Sequence, residues 1–179
     1  MAGLKIGKPD LGYTGSMAES EAFGEVRGYM EHHEWLEWKR ENHYMAYRES
    51  MDLVRKAQLG DPTEPNPRFA SDMQATLVEK LCPGEYDKVR FYTAVGSNLD
   101  YQHGVDAFFE VKINDKQIII VTMDVKIYNP DSVKADILIV FPPEGLDPKD
   151  DHDEYYALLE NSVMDIIDMI NSRRKNSSN

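Results

Sequence analysis

Apolar residues recur along this chain with two spacings, one helical and one alternating, and their order predicts helices that lead into a sheet. Over residues 18–59 Glu, Met, Arg and aromatic residues dominate, with Gly24 and Gly28 as the only breakers, and one or two helices are expected. Gly60-Asp61-Pro62, then Pro65 and Pro67, close that stretch with a loop. Asn66-Pro67 supplies a cap and a first-turn proline for a helix over 67–81, whose apolar stripe is Phe69, Met73, Leu77, Val78 and Leu81. On a helical wheel Gln74 falls inside that stripe, whereas Asp72 and Glu79 fall opposite. A polar side chain turned towards a core needs a hydrogen-bond partner or serves a site.

From residue 88 the pattern changes. Residues 88–95 are β-branched and aromatic and predict a strand, followed by the turn-prone Gly96-Ser97-Asn98. Over 105–113 the odd positions Val105, Ala107, Phe109, Val111 and Ile113 form one apolar face of a second strand. Asn114-Asp115 is a hairpin turn, and 117–127 returns as a third strand, so apolar over Ile118 to Val121 that it should be central and covered on both sides. Asn129-Pro130-Asp131 breaks it, and 135–141 gives a fourth strand. A last helix over 154–172 carries Leu158, Leu159, Val163, Ile166, Ile167 and Ile170, with Arg173, Arg174 and Lys175 suited to the negative end of its dipole. The expected class is α/β (α+β), a mixed central sheet of about four strands flanked by helices, with an N-terminal helical extension. Residues 1–17 read as flexible, 18–60 as the extension, 61–172 as the core domain and 173–179 as a disordered tail.

Composition narrows the function. The chain of 179 residues carries a formal net charge of -12, and none of its four successive stretches (1–60, 61–100, 101–145 and 146–179) is net positive. Such a balance opposes nonspecific attraction to phosphate, although a bound divalent cation can reverse the field at one site. The single cysteine, Cys82, excludes an internal disulfide framework and fits a reducing cytosol. No apolar run approaches the ~20 residues that span a bilayer, and the Gly-rich, polar N-terminus is neither a signal peptide nor an anchor. A cytoplasmic protein without a membrane partner is expected.

Two stretches offer chemistry. In EHHEWLEWKRE, residues 31–41, His33, Glu37 and Glu41 would share a helix face, but the second His of the zinc-protease helix motif is missing and the mixed charges suit a half-solvated face. The hairpin offers more. Asp124 and Lys126 point to the same face of the third strand, and antiparallel pairing about Asn114-Asp115 sets Asp106 opposite residues 123–126. Two carboxylates and an ammonium therefore meet at the end of a buried strand. Neighbouring carboxylates repel unless one is protonated or a cation lies between them, and oxygen ligands suit Mg²⁺ or Mn²⁺. A structural Asp–Lys pair with a nearby Asp is the alternative.

The pattern Gly104-Val105-Asp106, a hairpin, then Asp124-Val125-Lys126 resembles the PD-(D/E)xK nuclease superfamily, and the neighbouring elements extend the resemblance over about residues 67–172. The resemblance implies a restriction-endonuclease-like fold and metal-dependent hydrolysis of phosphodiesters in nucleic acid, DNA in preference to RNA. Asp106 and Asp124 would be the metal ligands for Mg²⁺ or Mn²⁺, and Lys126 the catalytic lysine. Gln74 would take the inward position where the core helix commonly carries Glu. The enzyme would be an endonuclease or exonuclease, with the N-terminal helices offering a homodimer or protein-partner surface. The alternative is a catalytically degenerate protein on the same scaffold, acting as an acidic protein-binding or regulatory module.

Overall fold

A computed structural model describes residues 13–26, 44–58 and 60–176. The chain enters through helix α1 (Gly15–Phe23), then α2 (Tyr47–Ala57) and α3 (Arg68–Leu81). The sheet strands are β1 (Val89–Thr93), β2 (Ala107–Asn114), β3 (Gln117–Lys126) and β4 (Ile137–Val140), with a short helix α4 (Asn98–His103) between the first two. Helix α5 (His152–Asn176) ends the described chain. The stretch holding His33, Glu37 and Glu41, the N-terminal residues 1–12 and the tail residues 177–179 lie outside the described residues.

The strands lie in the order β1-β2-β3-β4. The first two pairings are antiparallel and β3–β4 is parallel, so the sheet is mixed as expected and helices flank it. Alternation of side chains assigns the faces. Odd-numbered residues of the hairpin, among them Phe109, Val111, Val121, Met123 and Val125, enter the larger core with Met73 and Leu77 of α3 and Val163, Ile166 and Ile170 of α5. Ala18, Ala22 and Phe23 bring α1 into the same core, so this helix is integral to the layer that supports the sheet. On the other face Tyr92 stacks on Phe108 with ring centroids 5.0 Å apart, beneath Met51 and Val54 of α2 and Leu99 of α4.

Three local expectations change. Helix α1 begins at Gly15, within the stretch read as flexible, because the Thr14 hydroxyl caps it by accepting from the Met17 amide at 3.3 Å. Cover on both sides of β3 holds near Val121 but fails at the hairpin end, where Ile118 is 59% exposed, because the apolar cluster under α2 and α4 gathers on Tyr92 and Phe108 and does not reach the turn. Helix α5 continues beyond residue 172 to Asn176. Its Arg173 Nη2 binds Asp136 Oδ1 at 2.5 Å and Nη1 donates to the Ile120 carbonyl, which anchors the last turn to the sheet.

Candidate metal centre at the end of β3

The hairpin register carries Asp106 to the site. Ala107 pairs with Met123, so the preceding residue lies beside Asp124, and the Asp106 amide donates to the Met123 carbonyl at 2.9 Å. The Asp106 side chain then closes the ladder: its Oδ2 accepts from the Val125 amide at 2.7 Å. One carboxylate oxygen is thereby committed to the backbone. The other, Oδ1, is buried and receives no hydrogen bond among the described residues.

Lys126, two residues after Asp124 on the same face, turns its ammonium into this group. Nζ lies 2.5 Å from Asp124 Oδ1, 3.2 Å from Glu19 Oε1 and 3.8 Å from Asp106 Oδ2. The three residues singled out by strand alternation are thus together, and Asp124 is as deeply buried as the contact requires, at 6% exposure. Asp124 Oδ1 is buried and takes the Lys126 ammonium as its ion-pair partner.

Two further carboxylates belong to the group. Glu19 comes from α1, and oxygens of Glu19, Asp100 and Asp106 all lie within 4.8 Å of one another. Asp100 is held by α4, a helix built by local signals: Ser97 Oγ accepts from the Leu99 and Asp100 amides, and Gly104 ends it with a left-handed φ of 64°. Asp100 Oδ2 also accepts from the Gly96 amide at 2.8 Å, so its carboxylate is fixed from both sides of the turn. The signals for both residues were present in the sequence. Thr14 preceding an Ala18-Ala22 spacing marks α1, and Ser97 with Gly104 brackets α4. What no local pattern supplies is the meeting of Glu19 with Lys126 across 107 positions of chain.

Gln74 goes elsewhere. It is buried on α3, but its Nε2 donates to the Val89 carbonyl at 3.2 Å, tying α3 to the start of β1. The helical carboxylate next to Lys126 is Glu19, not a residue of α3.

The electrostatics follow from burial. Desolvation pushes the Asp106 carboxyl up to about 9, against the lowering effect of the Val125 amide and reinforced by Glu19 and Asp124. Burial likewise raises Glu19, with Lys126 opposing, and raises Asp100, with the Gly96 amide opposing. Burial disfavours the Lys126 ammonium, but Asp124, Asp106 and Glu19 outweigh it and hold the lysine protonated well above its ordinary range. Fully ionised, four carboxylates would face one ammonium, and a divalent cation would supply the missing positive charge. A cleft of about 220 Å³ lined by Ser16, Glu19, Glu25, Val95, Gly96, Asp100 and Tyr101 opens onto the Glu19 and Asp100 members of the group. Neither a protein-family model, nor a curated protein, nor a solved structure matches the chain.

Proposed function

We propose that this protein is a divalent-metal-dependent phosphodiesterase acting on nucleic acid, built on the plan of the PD-(D/E)xK nucleases, with Mg²⁺ or Mn²⁺ as its cofactor. The observation that carries the reading is the donor-poor carboxylate group around Asp106. Asp106 Oδ1 is a buried oxygen without a hydrogen bond among the described residues, and oxygens of Glu19, Asp100 and Asp106 lie within 4.8 Å of one another. Leaving such an atom unsatisfied costs about 1–3 kcal/mol, a cost that a cation relieves. The oxygen-only donor set fits a hard divalent ion.

Glu19, Asp100 and Asp106, with Asp124 beside them, would hold the ion, which when bound polarises a phosphodiester and lowers the pKa of coordinated water. The chain's own groups then have distinct tasks. Lys126 stays protonated across the neutral range and keeps a positive charge at the point where a phosphate approaches, stabilising negative charge that develops there. Asp124 and Glu19 hold that ammonium in place, and the Val125 amide fixes Asp106 to the sheet. Among the described residues that line the cleft there is no lysine or arginine, and attraction of a polyanion is assigned to the ion and Lys126. The hairpin bearing both acids and the lysine, with a parallel fourth strand beside it, supports the restriction-endonuclease-like assignment.

One observation favours a second reading. The ammonium of Lys126 is already engaged by three carboxylates and serves as an internal cation, which a catalytically degenerate, acidic regulatory module would retain for stability alone. Cleavage separates the two. Incubated with labelled single- and double-stranded DNA and RNA, the chain is expected to cut in Mn²⁺ or Mg²⁺ and not in chelator. Asp124→Ala and Lys126→Ala should abolish the cut while remaining folded. Absence of cleavage of every substrate in both metals would leave the degenerate module.

A further inference from the structure

The two edges of β3 and β4 are finished differently. Where β4 does not reach, the exposed edge of β3 is closed by side chains: Asp136 Oδ2 accepts from the Thr122 amide at 2.9 Å, and Arg173 donates to the Ile120 carbonyl. The outer edge of β4 has no such closure among the described residues. The Phe141 amide bonds the Lys126 carbonyl, so the odd-numbered residues of β4 direct their amides to β3 and Leu138 and Val140 direct theirs outward. An unpaired edge is a template for another strand. Beside it runs a groove of about 430 Å³ between β4 and α5, lined by Asp136, Ile137, Leu138, Asp165, Asp168, Met169 and Ser172. Asp136 is paired with Arg173, whereas Asp165 and Asp168 are exposed and form no ion pair among the described residues.

We infer that the free edge of β4 is a docking site for an extended basic segment of another protein, which adds as a fifth strand. Its backbone would satisfy Leu138 and Val140, its apolar side chains would lie over Ile137 and Met169, and its lysines or arginines would meet Asp165 and Asp168. Charge complementarity selects this occupant. A second copy paired edge to edge would bring Asp165 and Asp168 of both chains into one interface, between chains of net charge -12. Nucleic acid is repelled by the same carboxylates. The proposal stands apart from the carboxylate group at the end of β3 and does not depend on a metal there.

The test is fluorescence anisotropy of the full chain with a fluorescein-labelled heptapeptide Lys-Thr-Val-Thr-Lys-Thr-Val, whose lysines and valines share one face of a strand, and with its counterpart carrying glutamate in place of lysine. Saturable binding of the basic peptide alone is expected, with the Leu138 and Val140 amide resonances shifting on titration. Asp165→Asn combined with Asp168→Asn, both at the surface, should weaken binding about tenfold. Leu138→Pro removes the outward N–H together with the Leu138 side chain and should abolish it, with thermal melting checking that the sheet survives. The inference is overturned if the basic peptide fails to bind, if both peptides bind alike, or if the double variant binds undiminished. It is also overturned if sedimentation shows a dimer lost in Leu138→Pro, or if the two amides resist solvent exchange in the free monomer, since either means the edge is already filled.

Discussion

Asp106 joins the backbone to the chemistry, because one of its oxygens completes the β3 ladder while the other lacks a donor. Its pH behaviour is the most direct consequence. A carboxyl lifted from 3.8 to about 9 binds its proton more tightly in the folded chain than in the unfolded one. Stability from this source is present at low pH and is lost as pH rises through about 9, and the raised Glu19 and Asp100 carboxyls act in the same direction. Lys126 is protonated in both states over that window and adds no slope. In chelator, the melting temperature is expected to fall between pH 5 and 9, and Asp106→Asn to flatten the decline. An equal slope in the variant would remove Asp106 as its source. Gln74 gives an opposite kind of prediction. Gln74→Glu sets a carboxylate against the Val89 carbonyl and should cost about 1–3 kcal/mol in urea denaturation, with metal binding unchanged. Tighter metal binding without loss of stability would return Gln74 to the site. Alternation and hairpin arithmetic made Asp106, Asp124 and Lys126 legible as a group in the sequence. Gln74 was legible only as an inward polar residue, since a helical wheel does not distinguish a backbone carbonyl from a metal as its partner.

Among the elements, β4 has four residues and needs the clamp at its start. Asp136 accepts from the Thr122 amide and hydroxyl, its own amide donates to Thr122 Oγ1, and Arg173 binds its other oxygen. Asp136→Ala leaves the Thr122 amide without its acceptor and is expected to cost about 1–3 kcal/mol. Arg173→Ala, at a half-exposed side chain, should cost about 1 kcal/mol. If the clamp acts as a unit, the double variant loses less than the two together in urea denaturation, and full additivity would show the contacts to be independent. The sequence showed the long elements well: the α5 stripe and the hairpin lie close to where periodicity put them. Helix α4 went unread because six residues give too little period, and its Ser97 and Gly104 brackets carry the whole signal. Ile118 misled for another reason. A continuous apolar run implies cover on both faces, but the run extends past the end of the helices that provide it.

For the whole molecule, the arrangement that matters is α1 packed into the main core, because it delivers Glu19 to the end of β3. No pattern confined to one segment discloses that. It depends on Ala18, Ala22 and Phe23 choosing this face of the sheet, a choice made by the fold as a whole. In a chain of net charge -12, Glu19, Asp106 and Asp124 surround Lys126 with Asp100 close by, and the proposed function has this group take up a cation. Isothermal titration of the metal-free chain with Mn²⁺ at pH 7.5 tests that claim most directly. Saturable binding of one ion per chain is expected, weakened about tenfold or more in Glu19→Gln and in Asp106→Asn. No binding heat in the unaltered chain, or an isotherm that neither substitution changes, would contradict it.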